Sequence, residues 1–216
     1  MNGKKECSRR LKNKNLLLRY INSWKLLLYI KRKVKRIMNL INAFGLLNMI
    51  NENLDGYQEE YRNYIIAHKE RVEQFADWLK ENLPEVFENV DIKAFDEVIS
   101  EHDESKFGEE EFEAYAQRFY NNGEEGFEFE EAWKHHWTHN EHHPEFWLGE
   151  DMPYIYILEM LCDWGSFSIE KNDFTELGKY YYEKARDDEE KNLSDNTKTI
   201  IEEILDKIDS VLEEGE

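Results

Sequence analysis

Seven histidines, His68, His102, His135, His136, His139, His142 and His143, all fall within 76 residues of a 216-residue chain. An imidazole among apolar side chains is a buried polar group that needs a partner, and acids accompany these rings. Asp103 follows His102 directly in His102-Asp103-Glu104-Ser105-Lys106. Asp163 stands in Met160-Leu161-Cys162-Asp163-Trp164, with Glu159 one turn earlier on the same helical face. A carboxylate in that setting costs heavily unless a cation or hydrogen bonds receive it. Neutral imidazole with carboxylate suits Mn, Fe or Zn, with a position left open for water, better than Ca, which takes oxygen shells. Neighbouring residues on a helix diverge by about 100°. His102 and Asp103 therefore serve one site only at a helix end, or with the carboxylate reaching across to a second ion.

The densest piece is His135-His136-Trp137-Thr138-His139-Asn140-Glu141-His142-His143-Pro144-Glu145-Phe146-Trp147. On a continuous helix, His136, His139 and His143 share one face and His135, His139 and His142 the next. The plain alternative for this stretch is a packed core of aromatic and imidazole rings. For His68 taken alone, it is a core histidine bonded to a backbone carbonyl.

Helices have to deliver these side chains. Tyr61, Ile65, His68, Val72, Phe75 and Leu79 step by 4, 3, 4, 3 and 4, the stripe of a long helix from Tyr57 that ends before Pro84. A second helix is predicted through Phe95, Val98, Ile99 and His102. A third, with Phe112, Tyr115, Ala116 and Phe119, stops at Asn121-Asn122-Gly123. A fourth carries Phe129, Trp133, His136 and Asn140 and ends near His143, because Pro144 disfavours helix in the residue before it. Met152-Pro153 opens a fifth through Asp163, and a sixth covers Phe174 to Ala185. The last, from Ile200 to Leu212, is amphipathic with acids opposite and reads as a packing element.

Composition agrees with an all-α chain. It is 40% hydrophobic and 14% aromatic, enough for one sizeable core and too aromatic for a disordered acidic chain, while three Pro and ten Gly are too few for a turn-rich sandwich. The net charge of −20 is unevenly placed: residues 1–50 carry 13 Lys or Arg against the single acid Glu6, so this arm is +12 and the remainder −32. An acidic body repels phosphates, which excludes nucleic acid from it. The arm reads as one or two basic amphipathic helices, which leaves three readings: docking on the acidic body, weak contact with an anionic membrane, or a start of translation at Met38 or Met49 that makes the arm an artefact. Its apolar runs are too short to span a bilayer, and no cleavable signal is evident. Cys7 and Cys162, far apart, suggest no disulfide framework, so a reducing, cytoplasmic setting is expected.

Read in order, His68, His102-Asp103, His135/His136, His142-His143 and Asp163 resemble the H…HD…H…HH…D order of the metal-dependent HD superfamily, especially its HD-GYP branch. The Gly-Tyr-Pro signature of that branch is absent here. HDESK, HHWTHNEHHPEFW and MPYIYILEMLCDW are also similar to a bacterial and phage family of unknown function carrying HD-x-S-K, HH-x4-N-x-HH-x-E-x-W and MP-x5-EM-x2-D. In that family the place of His139 tolerates a basic residue, which ranks it below the others.

The resemblance implies an HD-domain-like helical bundle over residues 51–216, following the arm of residues 1–50. It implies one or two divalent transition ions, with His68, His102, Asp103 and Asp163 around the first, His136 with His142 or His143 around the second, and Asp103 bridging. Whether His135 or His136 is the ligand stays open. The implied activity is a metal-dependent phosphohydrolase acting on a nucleotide-like or other small phosphate ester, with Asp103 at the catalytic centre and Lys106 holding a phosphate oxygen. The alternatives are a diiron oxygenase on the same ligand set and a non-catalytic, metal-stabilised helical module that binds a partner.

Overall fold

Eight α-helices and no strand occur among the residues that the computed structural model describes, 56–123 and 127–214. The bundle is thus all-α, as composition and periodicity require. The basic arm, with its expected helices and membrane contact, lies outside the described residues. No helix among the described residues is long and apolar enough to cross a membrane.

The spine is α1, Gly56–Asn82, whose stripe Tyr61, Ile65, His68, Val72, Phe75 and Leu79 is buried throughout. Pro84 lacks an N–H to continue the helix and instead starts a 3-10 turn, Pro84–Phe87. Helix α2, Ile92–Glu101, is capped by Asp91, whose Oδ1 accepts from the backbone N–H of Lys93 at 2.9 Å. Such a cap contributes about 1 kcal/mol. A second 3-10 turn, Glu104–Phe107, leads to α3, Phe112–Tyr120. That helix ends where the Gly123 N–H reaches back to the Gln117 carbonyl at 2.9 Å, with Asn122 left-handed at φ 51°. A Cβ on Gly123 would stand 2.5 Å from that carbonyl oxygen, so only glycine fits the closing turn.

Helix α4, Phe127–His139, stops one turn earlier than its apolar period suggests. The Asn140 side chain donates to the His136 carbonyl at 2.7 Å, and His143 takes the extended conformation demanded by Pro144 (φ −82°, ψ 125°). His142 and His143 therefore leave α4 in a turn, which corrects the helical-face grouping that placed them on it. After the short α5, Pro144–Trp147, come α6, Tyr154–Lys171, and α7, Thr175–Tyr180, which winds into a π turn over Tyr181–Ala185. The bundle closes with α8, Asp195–Glu214.

The buried side chains form two clusters, and α1 runs through both. The larger gathers Val72, Phe75, Leu79, Phe95, Ile99, Leu158, Leu161, Ile201 and Leu205 among others. Each such side chain contributes about 1.5–3 kcal/mol by leaving water. The smaller holds Tyr61, Ile65, Tyr115, Ala116 and Ala132. Helix α6 lies so close on α1 that a Cβ on Gly165 would meet the Phe75 ring at 2.6 Å. His68 sits in the α1 stripe between the residues of the two clusters, and it marks where the polar centre is built.

Candidate metal centre

His68 projects from α1 with Nε2 3.0 Å from Asp163 Oδ1 on α6 and 3.4 Å from Asp103 Oδ2. Its Nδ1 pairs with Ser166 Oγ at 3.3 Å. His102 and Asp103 follow the last residue of α2. Asp103 is left-handed (φ 57°, ψ 18°), a conformation that Asp tolerates better than most residues. This single turn of the backbone brings two adjacent side chains to one centre, which a continuing helix would not. His102 Nε2 lies 3.6 Å from Asp103 Oδ2 and 3.7 Å from Asp163 Oδ1.

The other oxygen of Asp103 looks the other way. Its Oδ1 is 3.4 Å from His136 Nε2 and 3.7 Å from His142 Nε2. His143 Nε2 stands 2.9 Å from His136 Nε2. Lys106, at the end of its 3-10 turn, places Nζ 2.6 Å from Asp103 Oδ2.

Two buried glutamates stand behind these rings. Glu159 Oε1 faces His102 Nδ1 at 3.0 Å and His142 Nδ1 at 3.2 Å. Glu111, wholly buried, faces His136 Nδ1 at 2.9 Å and His135 Nδ1 at 2.8 Å. With Nδ1 as the donor to a carboxylate, the Nε2 atoms of His102, His136 and His142 are left turned toward the centre, each offering a lone pair there when its ring is neutral.

Donor type and geometry fit a cation. The ligand atoms of Asp103, His136, His142 and His143 lie within 4.8 Å of one another, as do those of His68, His102 and Asp103, and those of His102, His142 and Asp163. His102 Nε2, His142 Nε2 and Asp103 Oδ1 are buried without a hydrogen-bond partner among the described residues. Orphaned buried atoms of this kind are costly, and all three face the space between these groups. The residues present could therefore hold a metal ion.

The electrostatics divide the centre. Burial raises the Asp103 carboxyl, but Lys106, His102, His68 and His136 hold it well below the usual range. His102 and His68 do the same for Asp163. Burial opposes the charge on His102, yet Asp103, Asp163 and Glu159 override it and hold the imidazolium up to about 10. His68 is raised likewise against its burial, by Asp103 and Asp163. In the other half burial wins: His136 is lowered despite Glu111, and His143, beside His142 and His136, falls to about 3.

All the candidate ligands thus converge, His68, His102, Asp103, His136, His142, His143 and Asp163, with Lys106 against Asp103. His135 and His139 stay apart. The first turns to Glu111, and the second is exposed, its ring bonded to the His135 carbonyl at 2.8 Å. Glu111 escapes a reading of the sequence because it closes the run Glu109-Glu110-Glu111, which looks like a solvated acidic turn. Side-chain exposure is highest at Asp163 (19%), Lys106 (18%) and His143 (14%), so solvent meets the centre there. At Glu159 and His142 a cavity of about 270 Å³ adjoins it, lined also by Glu101, Glu141 and Tyr156.

Residues 57–207 match a family of unknown function, DUF5662. No curated protein matches the chain, and no solved structure does.

Proposed function

The chain belongs to this family of unknown function, which lends it no activity, and we propose from its own side chains that it is a metal-dependent phosphohydrolase with two ion positions sharing Asp103. The observation that carries the reading is the divided carboxylate: Oδ2 faces His68 and His102 while Oδ1 faces His136 and His142. In this reading His68, His102, Asp103 and Asp163 hold the first ion, and Asp103, His136, His142 and His143 the second. His136 is preferred to His135 because its Nε2 points inward. The order of these candidate ligands along the chain resembles that of the HD superfamily, and this resemblance supports the reaction class.

Divalent ions bound there would polarise a phosphoryl oxygen and bring the pKa of a water down toward about 7. The chain's own groups do the rest. Glu111 and Glu159 orient the rings, and Asp103 holds its two oxygens apart. Lys106 keeps one N–H on Asp103 Oδ2 and has others to offer a phosphate oxygen arriving from the solvent side. In this reading the substrate is a nucleotide-like or other small phosphate ester, approaching where Lys106, His143 and Asp163 meet solvent.

A panel of phosphomonoesters and nucleotides, assayed with protein loaded with Mn, Fe or Zn, tests this. Hydrolysis is expected to need the ion and to fall by orders of magnitude in Asp103→Ala while helicity is retained. Lys106→Ala is expected to lower turnover less and to leave metal content unchanged. Silence across the panel from fully loaded protein would refute hydrolysis. Oxygen consumption by the reduced iron form would then favour an oxygenase, and silence in both assays a binding module.

A further inference from the structure

We infer that Glu159 is a positioning residue that ties the two ion positions together, by fixing one ligand of each with a single carboxylate oxygen. The inference rests on the two-position reading above. His102, which belongs to the first position, and His142, which belongs to the second, both turn Nδ1 to Glu159 Oε1, at 3.0 and 3.2 Å. Their rings lie 4.3 Å apart, centroid to centroid. Both Nε2 atoms are buried and lack a hydrogen-bond partner among the described residues. Whatever fixes the Nδ1 side therefore sets where both lone pairs point.

Glu159 is suited to hold this arrangement. It lies on α6 one turn before Asp163, and at 5% exposure its carboxylate is close to fully buried. Among the described residues its hydrogen-bonding partners are the two rings, and no lysine or arginine pairs with it. Asp103 thus joins the two positions from the front, and Glu159 joins them from behind through their histidines. A residue that orients a ligand in this way typically accounts for a factor of about 10 to 100 in metal affinity. The distinctive feature is that one side chain acts on both positions. Glu111, by contrast, holds His136 of the second position, and its other oxygen goes to His135, outside the cluster.

The test uses the full-length protein stripped of metal and titrated with Co²⁺, read by its visible absorption band and by calorimetry. Glu159→Gln keeps an acceptor of the same length and removes the charge. Both binding steps are expected to weaken by about 10- to 100-fold, and the Co²⁺ band to shift, while the unfolding temperature of the metal-free protein changes little. Affinities within about twofold of wild type for both steps, or weakening of one step alone, would overturn the inference. If the Gln variant does not fold, Glu159→Ala carries the test, because the adjoining cavity of about 270 Å³ admits formate. Return of Co²⁺ affinity in millimolar formate supports the positioning role, and no return overturns it. A wild type that binds no Co²⁺ would instead sink the two-position reading itself.

Discussion

Metal uptake at the His68/His102 position should expel protons, and the number follows from the charges around it. In the metal-free protein Asp103, Asp163, Glu159 and Glu111 are carboxylates, since each is held below its ordinary value. They release no proton when an ion binds. His102, held up to about 10, is an imidazolium at pH 7, and His68 is raised toward the same state. A ligating ring must be neutral, so the first ion displaces one proton from His102 and a further fraction from His68, about one to two in total. Each proton displaced makes affinity change by about 1.36 kcal/mol per pH unit. Lowering the pH from 7 to 6 should thus weaken the first ion by about 1.4–2.7 kcal/mol, roughly 10- to 100-fold. The second position, where His136 and His143 are already neutral, should release few. Stability has the matching sign. Both raised groups lend the metal-free protein stability that is fully present below about 6.5 and, for His102, is lost as pH rises through about 10. Calorimetric titration with Zn²⁺ or Mn²⁺ in buffers of different ionisation enthalpy counts the protons. Release of less than about half a proton with the first ion at pH 7 would refute the charge assignment.

Further expectations are as direct. Asp103→Asn, which preserves size and tolerates the left-handed backbone, should lose ion at both positions, read as metal per protein by elemental analysis after reconstitution. His143→Ala should reduce only the second. Gly165→Ala should destabilise by about 1–3 kcal/mol, because its Cβ would enter the Phe75 ring at 2.6 Å, and should lower the thermal midpoint by several degrees. Deleting residues 1–49 should leave a cooperatively unfolding, metal-binding domain, since every candidate ligand lies after residue 56; a non-cooperative melt would count the arm as core.

The helices were legible where one period ran long. The α1 stripe could be read to the residue because each of its apolar positions packs on a cluster, and Pro84 announces its end. The clustering of the candidate ligands was legible because imidazole and carboxylate among apolar residues need a partner. What could not be read was how the backbone turns. The left-handed Asp103, which reconciles adjacent ligands with one centre, depends on the cluster that rewards it, and nothing in a His-Asp pair encodes it. The end of α4 at His139 was obscured in the same way, because Phe129, Trp133, His136 and Asn140 keep the helical period while the Asn140 amide closes the chain. Glu111 differs from Glu109 and Glu110 only in being folded inward.

The position of His68 between the two apolar clusters has a mechanical consequence. Among the described residues the smaller cluster has five buried side chains, from α1, α3 and α4, and the stretch that supplies three of them also carries His136, His142 and His143 of the second proposed position. Ions held by His68, Asp103, His136 and Asp163 would act as a rivet across this seam. With them chelated, the described parts of this segment, α3 and α4 with the turns that carry Lys106 and His142, would become the foldon of lowest stability and open before α6 and α8 do. Amide exchange in that segment should therefore quicken on chelation while the Phe75, Leu158 and Leu161 side of the bundle keeps its protection, so that metal occupancy governs how much of the molecule unfolds at once.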